Sequence, residues 1–163
     1  MDPFVFIDEQ NISDEICNTI ISIDDNAGYI PLYPEESSAW FYIINHLIPN
    51  ISTAITNFIR HHSLDVYNMK NIIQNSDFLQ ANMQIYKSAT DKYHNDFKMI
   101  ENKHSTLSYL WCLSPSADII FGKSYKVSIK KGDLVLFPAS WEYPYKLDPI
   151  GIYLKGTLYT SYE

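Results

Sequence analysis

Hydrophobic residues in the first third of the chain recur with the spacing of helices. Four of them lie three and four positions apart and would share one helical face: Ile16, Cys17, Ile20 and Ile21. Asn11 or Ser13 can cap this first helix. A longer helical pattern starts at Ser37 or Ser38, and Pro49 divides its apolar stripe. Because proline interrupts the hydrogen bonding of a helix, this stretch is predicted to form a kinked helix or two consecutive helices.

The rest of the chain consists of short runs with strand character, separated by turn sequences. Alternating or continuous apolar residues predict six strands: 78–86, 106–113, 119–121, 125–129, 134–137 and 152–160. A short apolar run at 4–7 predicts a further strand before the first helix. Turns are predicted at 24–28 and 131–133. Helices followed by many short strands indicate a mainly β protein, a sandwich or barrel with helices packed on one side.

The composition fits a packed domain and argues against several classes of partner. A chain of 163 residues suits one domain, 1–163, and 13 tyrosines with 5 glycines are typical of a packed core. A net charge of -7 without a basic stripe argues against nucleic-acid binding. No signal peptide and no apolar run of about 20 residues is evident, so no membrane partner is expected. Cys17 and Cys112 are expected to be free buried thiols, which favours a cytoplasmic protein.

One short motif carries candidate metal chemistry. His94 and Asp96 are two residues apart, so on an extended chain an imidazole and a carboxylate project to the same side. They are two of the three ligands of a facial 2-His-1-carboxylate iron site. A lone His-x-Asp sequence also occurs in surface turns, and no histidine follows His104. The histidines at 46, 61 and 62 are interpreted as residues of a solvated helix face and helix end.

A family resemblance gives this motif a context. Five features resemble the Fe(II)/2-oxoglutarate-dependent dioxygenases of the prolyl 4-hydroxylase-like branch: the opening at 6–7 and 12–17, Lys-Gly-Asp-Leu-Val-Leu-Phe-Pro-Ala-Ser-Trp at 131–141, Tyr-His-Asn-Asp at 93–96, the strand at 106–114, and the spacing from Tyr86 to His94. The resemblance runs over most of the chain. It implies a double-stranded β-helix, which is a jelly roll of two facing sheets, with helices packed on one sheet. It also implies a hydroxylase that uses Fe(II) and 2-oxoglutarate.

The resemblance assigns roles to five residues. His94 and Asp96 would be metal ligands, and Tyr145 stands where the family has its second histidine. A phenol with an ordinary pKa of about 10 is a poorer iron ligand than imidazole. Tyr86 would line the 2-oxoglutarate pocket. Lys155, which follows Tyr145 by roughly ten positions, would hold the far carboxylate of 2-oxoglutarate.

Further departures from the family pattern leave two main hypotheses. An alternative alignment puts Ile152 at the carboxylate-binding position, and the loop at 115–122 lacks the glycine pair of the family. The first hypothesis is an oxygenase that hydroxylates a small-molecule or peptidyl substrate, with Tyr145 or water as the third ligand. The second is a catalytically inactive relative, a binding or interaction module whose cavity binds a small acid, a divalent cation or nothing. A third, unrelated class is a jelly roll of the cupin type.

Overall fold

A computed structural model of the protein describes residues 4–23, 30, 34–62, 77–78, 83–87 and 92–161, and these described residues form two helices and two sheets. The elements in chain order are β1 (Phe6–Asp8), α1 (Asp14–Ile23), α2 (Ala39–His61), β2 (Asp77–Phe78), β3 (Gln84–Lys87), β4 (Met99–Ile100), β5 (Lys103–Cys112), β6 (Ser116–Phe121), β7 (Tyr125–Lys130), β8 (Leu134–Pro138), β9 (Tyr145–Leu147) and β10 (Ile152–Ser161). The prediction of a mainly β protein with N-terminal helices is therefore confirmed.

Both helices begin at a serine cap. The Ser13 hydroxyl accepts a hydrogen bond from the N–H of Ile16 at 3.2 Å, and the Ser38 hydroxyl accepts one from the N–H of Trp40 at 3.2 Å. Such caps satisfy N–H groups that have no partner within the helix. α2 runs through Pro49 as one helix of 23 residues, so the alternative of two consecutive helices is wrong. Within the described part of the chain, no helix is both long and apolar enough to cross a membrane.

Two antiparallel sheets face each other. The larger sheet has the order β1-β8-β5-β10-β2, with β3 also paired to β10 and β4 to β5. The smaller sheet has the order β7-β6-β9. Strands that are distant in the chain are neighbours in the sheet, since β5 pairs with both β8 and β10. The predicted jelly-roll architecture is thus confirmed.

The larger sheet divides the core into two layers. One of its faces packs on the two helices through the side chains of Leu107, Tyr109, Trp111, Leu134, Leu136 and Leu154. The other face packs on the smaller sheet through Leu110, Val135, Phe137 and Tyr153, which meet Ile119, Phe121 and Tyr145. Because successive side chains of a strand point to opposite faces, Ser108 shares a face with Leu110, and Lys155 shares a face with Tyr153. Both polar residues therefore point into the space between the sheets.

Several strand boundaries differ from the sequence prediction. Of the strand predicted at 78–86, the structure describes β2 and β3, while residues 79–82 and the turn predicted at 24–28 lie outside the described residues. β5 and β6 begin three residues earlier than predicted. β9 is not predicted, because three residues that follow a proline are too short to display an alternating pattern.

Candidate functional site

The segment that carries His94 and Asp96 runs alongside β9. The N–H of His94 donates to the carbonyl of Tyr145 at 2.7 Å, and the N–H of Tyr145 donates to the carbonyl of His94 at 2.9 Å. Along this extended segment Tyr93 and Phe97 are exposed, whereas His94 and Asp96 are partly buried. The backbone therefore holds an imidazole, a carboxylate and a phenol close together between the two sheets.

Asp96 accepts hydrogen bonds on both carboxylate oxygens. The Tyr145 hydroxyl donates to Oδ1 at 2.8 Å, and the Ser108 hydroxyl donates to Oδ2 at 2.7 Å. Ser108 is buried on β5 of the larger sheet, and Tyr145 is buried on β9 of the smaller sheet. The carboxylate is therefore bound from both sheets, and each of its oxygens has a short hydrogen bond.

The Tyr145 hydroxyl is both a donor and an acceptor. Besides donating to Asp96, it accepts a hydrogen bond from Nζ of Lys155 at 3.1 Å. Burial raises the pKa of Tyr145 far above its ordinary value, and the charge of Asp96 raises that pKa further. The phenol therefore stays protonated and acts as a neutral donor, not as a tyrosinate.

Lys155 reaches the site from β10. Its Nζ lies 4.7 Å from the centre of the Tyr86 ring and 5.7 Å from the centre of the Tyr145 ring. At such distances an ammonium group is attracted to an aromatic ring. The backbone register places Lys155 opposite Gln84 of β3 and Leu110 of β5. The two residues that the resemblance assigns to 2-oxoglutarate, Tyr86 and Lys155, thus lie together and next to Tyr145.

Two tyrosines pack on the ring of His94. The ring centres of His94 and Tyr86 are 5.6 Å apart in an edge-on arrangement, and those of His94 and Tyr145 are 5.7 Å apart. Nε2 of His94 is buried and has no hydrogen-bond partner among the residues that the structure describes. Burial lowers the pKa of His94, Lys155 lowers it further, and Asp96 opposes both effects. The imidazole is therefore neutral at pH 7.

A polar cavity of about 230 Å³ opens beside Asp96 and Lys155. The described residues that line it are Gln84, Asn95, Asp96, Phe97, Lys98, Lys155, Gly156, Thr157 and Tyr159. Pockets for drug-sized ligands measure about 300–1,000 Å³, so this cavity suits a smaller molecule. Two lysines against one aspartate give its wall a positive balance.

The histidines at 46, 61 and 62, on α2 and at its C-terminal cap, contact other aromatic rings. His46 packs on Tyr42 with 4.3 Å between the ring centres, and the His61 ring centre is 5.5 Å from that of Phe6. His62 packs on Phe58 at 5.0 Å. His46 and His61 are exposed, as predicted for a solvated helix face and helix end, whereas His62 is partly buried.

Ser108 is the residue of the site that sequence reasoning misses. It lies inside the predicted strand at 106–113, where its neighbours Leu107 and Tyr109 are apolar. A serine buried in such a strand needs a hydrogen-bond partner, and this requirement is the signal of its role. The partner, Asp96, lies 12 residues away and is set by tertiary structure.

Two facing sheets with N-terminal helices packed on the larger one define the class of fold, which is the jelly roll of the prolyl 4-hydroxylase type. Solved structures with this fold include the viral collagen prolyl hydroxylase of Paramecium bursaria Chlorella virus-1 in its 2-oxoglutarate complex. It superposes with a TM-score of 0.64 at 13% identity, over 98% of this chain and 97% of that chain. No family model matches the sequence, and no curated protein matches it.

Two further hydroxylases share the fold. A prolyl 4-hydroxylase of Pseudomonas putida gives a TM-score of 0.61 at 11% identity, over 96% of this chain and 88% of that one. A prolyl hydroxylase of Trichoplax adhaerens, solved with a peptide fragment of hypoxia-inducible factor, gives a TM-score of 0.54 at 10% identity. The match covers 96% of this chain and 83% of that one. At these identities the likeness shows the fold, and the site must be judged from its own residues.

The donor set does not fit Fe(II) held in the manner that the resemblance implies. His94 offers a neutral and buried nitrogen, which suits a ligand. Tyr145, in the third position, offers a protonated phenol that donates to Asp96. The ammonium group of Lys155 is bonded to the same phenol, so a cation already lies beside that position. Among the described residues, no group of three or more His, Cys, Asp or Glu side chains is placed to hold a metal ion.

The contact between Lys155 and Tyr145 also bears on 2-oxoglutarate. By the resemblance, this acid would bind the metal at one end and Lys155 at the other. Here Nζ of Lys155 lies 3.1 Å from the hydroxyl of Tyr145, the residue in the third ligand position. No molecule fits between two groups in hydrogen-bond contact. The cofactor-binding roles of Tyr86 and Lys155 stay predictions, and this contact argues against them.

Proposed function

We propose that this protein is a catalytically inactive relative of the prolyl 4-hydroxylases that acts as a binding module. One observation carries the proposal: the Tyr145 hydroxyl donates to Asp96 at 2.8 Å and accepts from Lys155 at 3.1 Å. The residue in the place of the third ligand is thus bonded to the two side chains that would otherwise serve iron and 2-oxoglutarate. An iron site of this type needs three protein ligands and open positions for its co-substrates, whereas a binding module needs only a cavity.

The cavity beside this network supports a small acid as the ligand. Two of the residues that line it are lysines, Lys98 and Lys155, and Gln84 is a polar neighbour of Lys155 in the lining. A carboxylate group would find charge-assisted hydrogen bonds there. The volume of about 230 Å³ suits a molecule with few atoms better than a peptide. The proposed partner is therefore a small acidic molecule, and neither a nucleic acid nor a membrane.

Anaerobic titration with Fe(II) and 2-oxoglutarate tests the absence of the iron site. A bidentate complex of 2-oxoglutarate with protein-bound Fe(II) gives a weak visible charge-transfer band. We expect no such band and, in air, no release of succinate above that of a sample without protein. Appearance of the band together with succinate would overturn the proposal.

Calorimetry without metal tests the acid-binding cavity, with succinate and 2-oxoglutarate as the probes. We expect saturable binding that Lys98→Met weakens by about threefold or more, as for the loss of one partly exposed charge pair. The matched control is Lys126→Met on β7, whose side chain pairs with Asp118 away from the cavity. If neither succinate nor 2-oxoglutarate binds, a small dicarboxylate is ruled out as the ligand.

An active oxygenase is the second candidate, and one observation favours it. Nε2 of His94 is buried without a hydrogen-bond partner in the described part of the chain, as a vacant ligand would be. This candidate requires the Tyr145 hydroxyl to leave Asp96 and a water molecule to complete the ligand set. The anaerobic titration separates the two candidates, because the oxygenase predicts both the band and succinate.

A further inference from the structure

Lys155 has a role in this site that differs from the anchoring of a co-substrate. We infer that its ammonium group replaces a metal ion as the cation of the site, linked to the Asp96 carboxylate through the Tyr145 hydroxyl. This inference rests on the proposed function, because it applies to a site without iron. It concerns what stabilises the centre of the jelly roll, and it can fail while the proposed function stands.

The directions of the hydrogen bonds carry the inference. Lys155 only donates, the Tyr145 hydroxyl accepts from it at 3.1 Å and donates onward at 2.8 Å, and Asp96 only accepts. The Ser108 hydroxyl donates to the second carboxylate oxygen at 2.7 Å. In each hydrogen bond of this network, the donor and the acceptor take the roles that their chemistry allows. The series of hydrogen bonds thus begins at the ammonium group of Lys155 and ends at the carboxylate of Asp96.

The four residues of the network come from both sheets of the jelly roll. Ser108 lies on β5 and Lys155 on β10 of the larger sheet, Tyr145 lies on β9 of the smaller sheet, and Asp96 lies on the segment paired with β9. A metal ion bound by such residues would join the same two sheets. A partly buried carboxylate is costly unless it is hydrogen-bonded, and the network supplies a hydrogen bond to each oxygen of Asp96.

The surroundings of Lys155 also hold it in this role. Its Nζ lies over the Tyr86 ring at 4.7 Å from the ring centre. That contact and the bond to Tyr145 together fix the ammonium group on the side of the cavity that faces Asp96.

A double-mutant cycle between Lys155 and Asp96 tests the inference. Lys155→Met removes the charge and keeps the length of the side chain, and Asp96→Asn removes the opposite charge and keeps the shape. We expect Lys155→Met to lower the thermal unfolding midpoint by about 3–8 °C in the otherwise unchanged protein. In the Asp96→Asn background the same change is expected to lower the midpoint by less than half as much, because the charge that Lys155 neutralises is absent.

Lys98→Met is the matched control, since Lys98 lines the same cavity and belongs to no hydrogen bond of the network. Its effect on the unfolding midpoint is expected to be equal in both backgrounds. An equal loss from Lys155→Met in the two backgrounds would overturn the inference. This outcome would leave the proposed function intact. The proposed function is overturned by the charge-transfer band of the Fe(II) titration together with succinate release.

A second measurement needs no variant and therefore does not depend on the folding of one. The unfolding midpoint of the unchanged protein is recorded with EDTA and with Mn(II), a redox-stable ion that favours oxygen and nitrogen ligands. We expect the same midpoint in both, because the site already contains its cation. A midpoint that Mn(II) raises or EDTA lowers would show that a metal belongs in the site and would overturn the inference.

Discussion

The resemblance places the third metal ligand of the family at position 145. The hydroxyl of Tyr145 donates to Asp96 at 2.8 Å, and His94 packs against its ring. Tyr145→His removes the proton donor and adds an imidazole beside His94 and Asp96. We expect the variant to bind Mn(II) at least about tenfold more tightly than the unchanged protein, a gain of about 1.4 kcal/mol. Electron paramagnetic resonance of free Mn(II) measures this directly.

Tyr145→Phe provides the control for that experiment. Phenylalanine also removes the hydroxyl and frees one oxygen of Asp96, but it offers no ligand. The expected result is therefore no gain in Mn(II) affinity from this variant. Equal affinities of the histidine and phenylalanine variants would show that position 145 is not placed to ligate.

The backbone conformation and the surroundings of Gly132 exclude a side chain at this position. Its φ is +91°, its carbonyl accepts a hydrogen bond from the N–H of Ile12 at 3.2 Å, and a Cβ would collide with the carbonyl of Ile12. Gly132→Ala is expected to lower the free energy of unfolding, measured by urea titration, by about 3 kcal/mol or more.

Gly122 provides the control for this substitution. Its φ is +60°, and no atom lies within 4 Å of the place that a Cβ would take. Gly122→Ala should therefore lower the free energy of unfolding by only about 1–2 kcal/mol in a urea titration.

At the scale of elements, Asn11 joins α2 to the larger sheet. Its side-chain nitrogen donates to the carbonyl of Asn50 in α2 at 3.1 Å, and its side-chain oxygen accepts from Nε1 of Trp111 in β5 at 2.8 Å. Asn11→Ala leaves the indole N–H of the buried Trp111 without this partner. We expect a loss of about 2–3 kcal/mol in the free energy of unfolding, measured by urea titration.

Asn18→Ala on α1 is the comparison for this loss. The Asn18 side chain accepts one exposed hydrogen bond, from Lys131 at 3.0 Å, and alanine favours helices. Its expected effect on stability lies within about 0.5 kcal/mol of zero. A similar, small change from Asn11→Ala would mean that the side chain of Asn11 contributes little to the packing of α2 on the larger sheet.

The elements differ in how far the sequence alone predicts them. α1 and α2 are predictable because a cap and an apolar face lie within one stretch of chain, as at Ser38 and its helix. Three-residue β9 is not predictable, since its pairing with β6 and with His94 depends on residues distant in sequence. The role of Ser108 escapes notice for the same reason. A pattern indicates which face a side chain takes, while the partner across that face is set by the register of other strands.

At the scale of the whole molecule, the grouping of the site depends on the jelly roll. His94, Asp96, Tyr145 and Lys155 come together because β9 and β10 both border the space between the sheets. Spacing along the chain relates His94 to Asp96 and nothing more. Only the resemblance to a known family groups Tyr145, Lys155 and Tyr86 in one hypothesis. The hydrogen bond between the protonated phenol of Tyr145 and the ammonium group of Lys155 depends on burial and distance. Neither quantity can be read from the sequence.

The core as a whole predicts an alkaline limit to stability. Burial, together with the nearby charge of Asp14, raises the pKa of Cys17 from 9.0 to about 11. Burial likewise raises the pKa of Cys112 and of Tyr109. Below about pH 9 these groups are protonated in both the folded and the unfolded chain, so their contribution to stability is complete. As the pH rises towards 11, the unfolded chain releases protons that the folded chain keeps, and the free energy of unfolding falls.

Urea titrations between about pH 8 and pH 10.5 measure this fall, which is expected to be about 1 kcal/mol or more. The variant Cys17→Val retains an apolar side chain and removes one titrating group. Compared with its own value at pH 8, the variant should lose stability less steeply than the unchanged protein. Thiol labelling supplies an independent check, because a buried Cys17 should react only as fast as the protein unfolds. A stability that stays constant up to pH 10.5 would mean that the thiols and phenols of the core ionise as readily in the folded protein as in the unfolded chain.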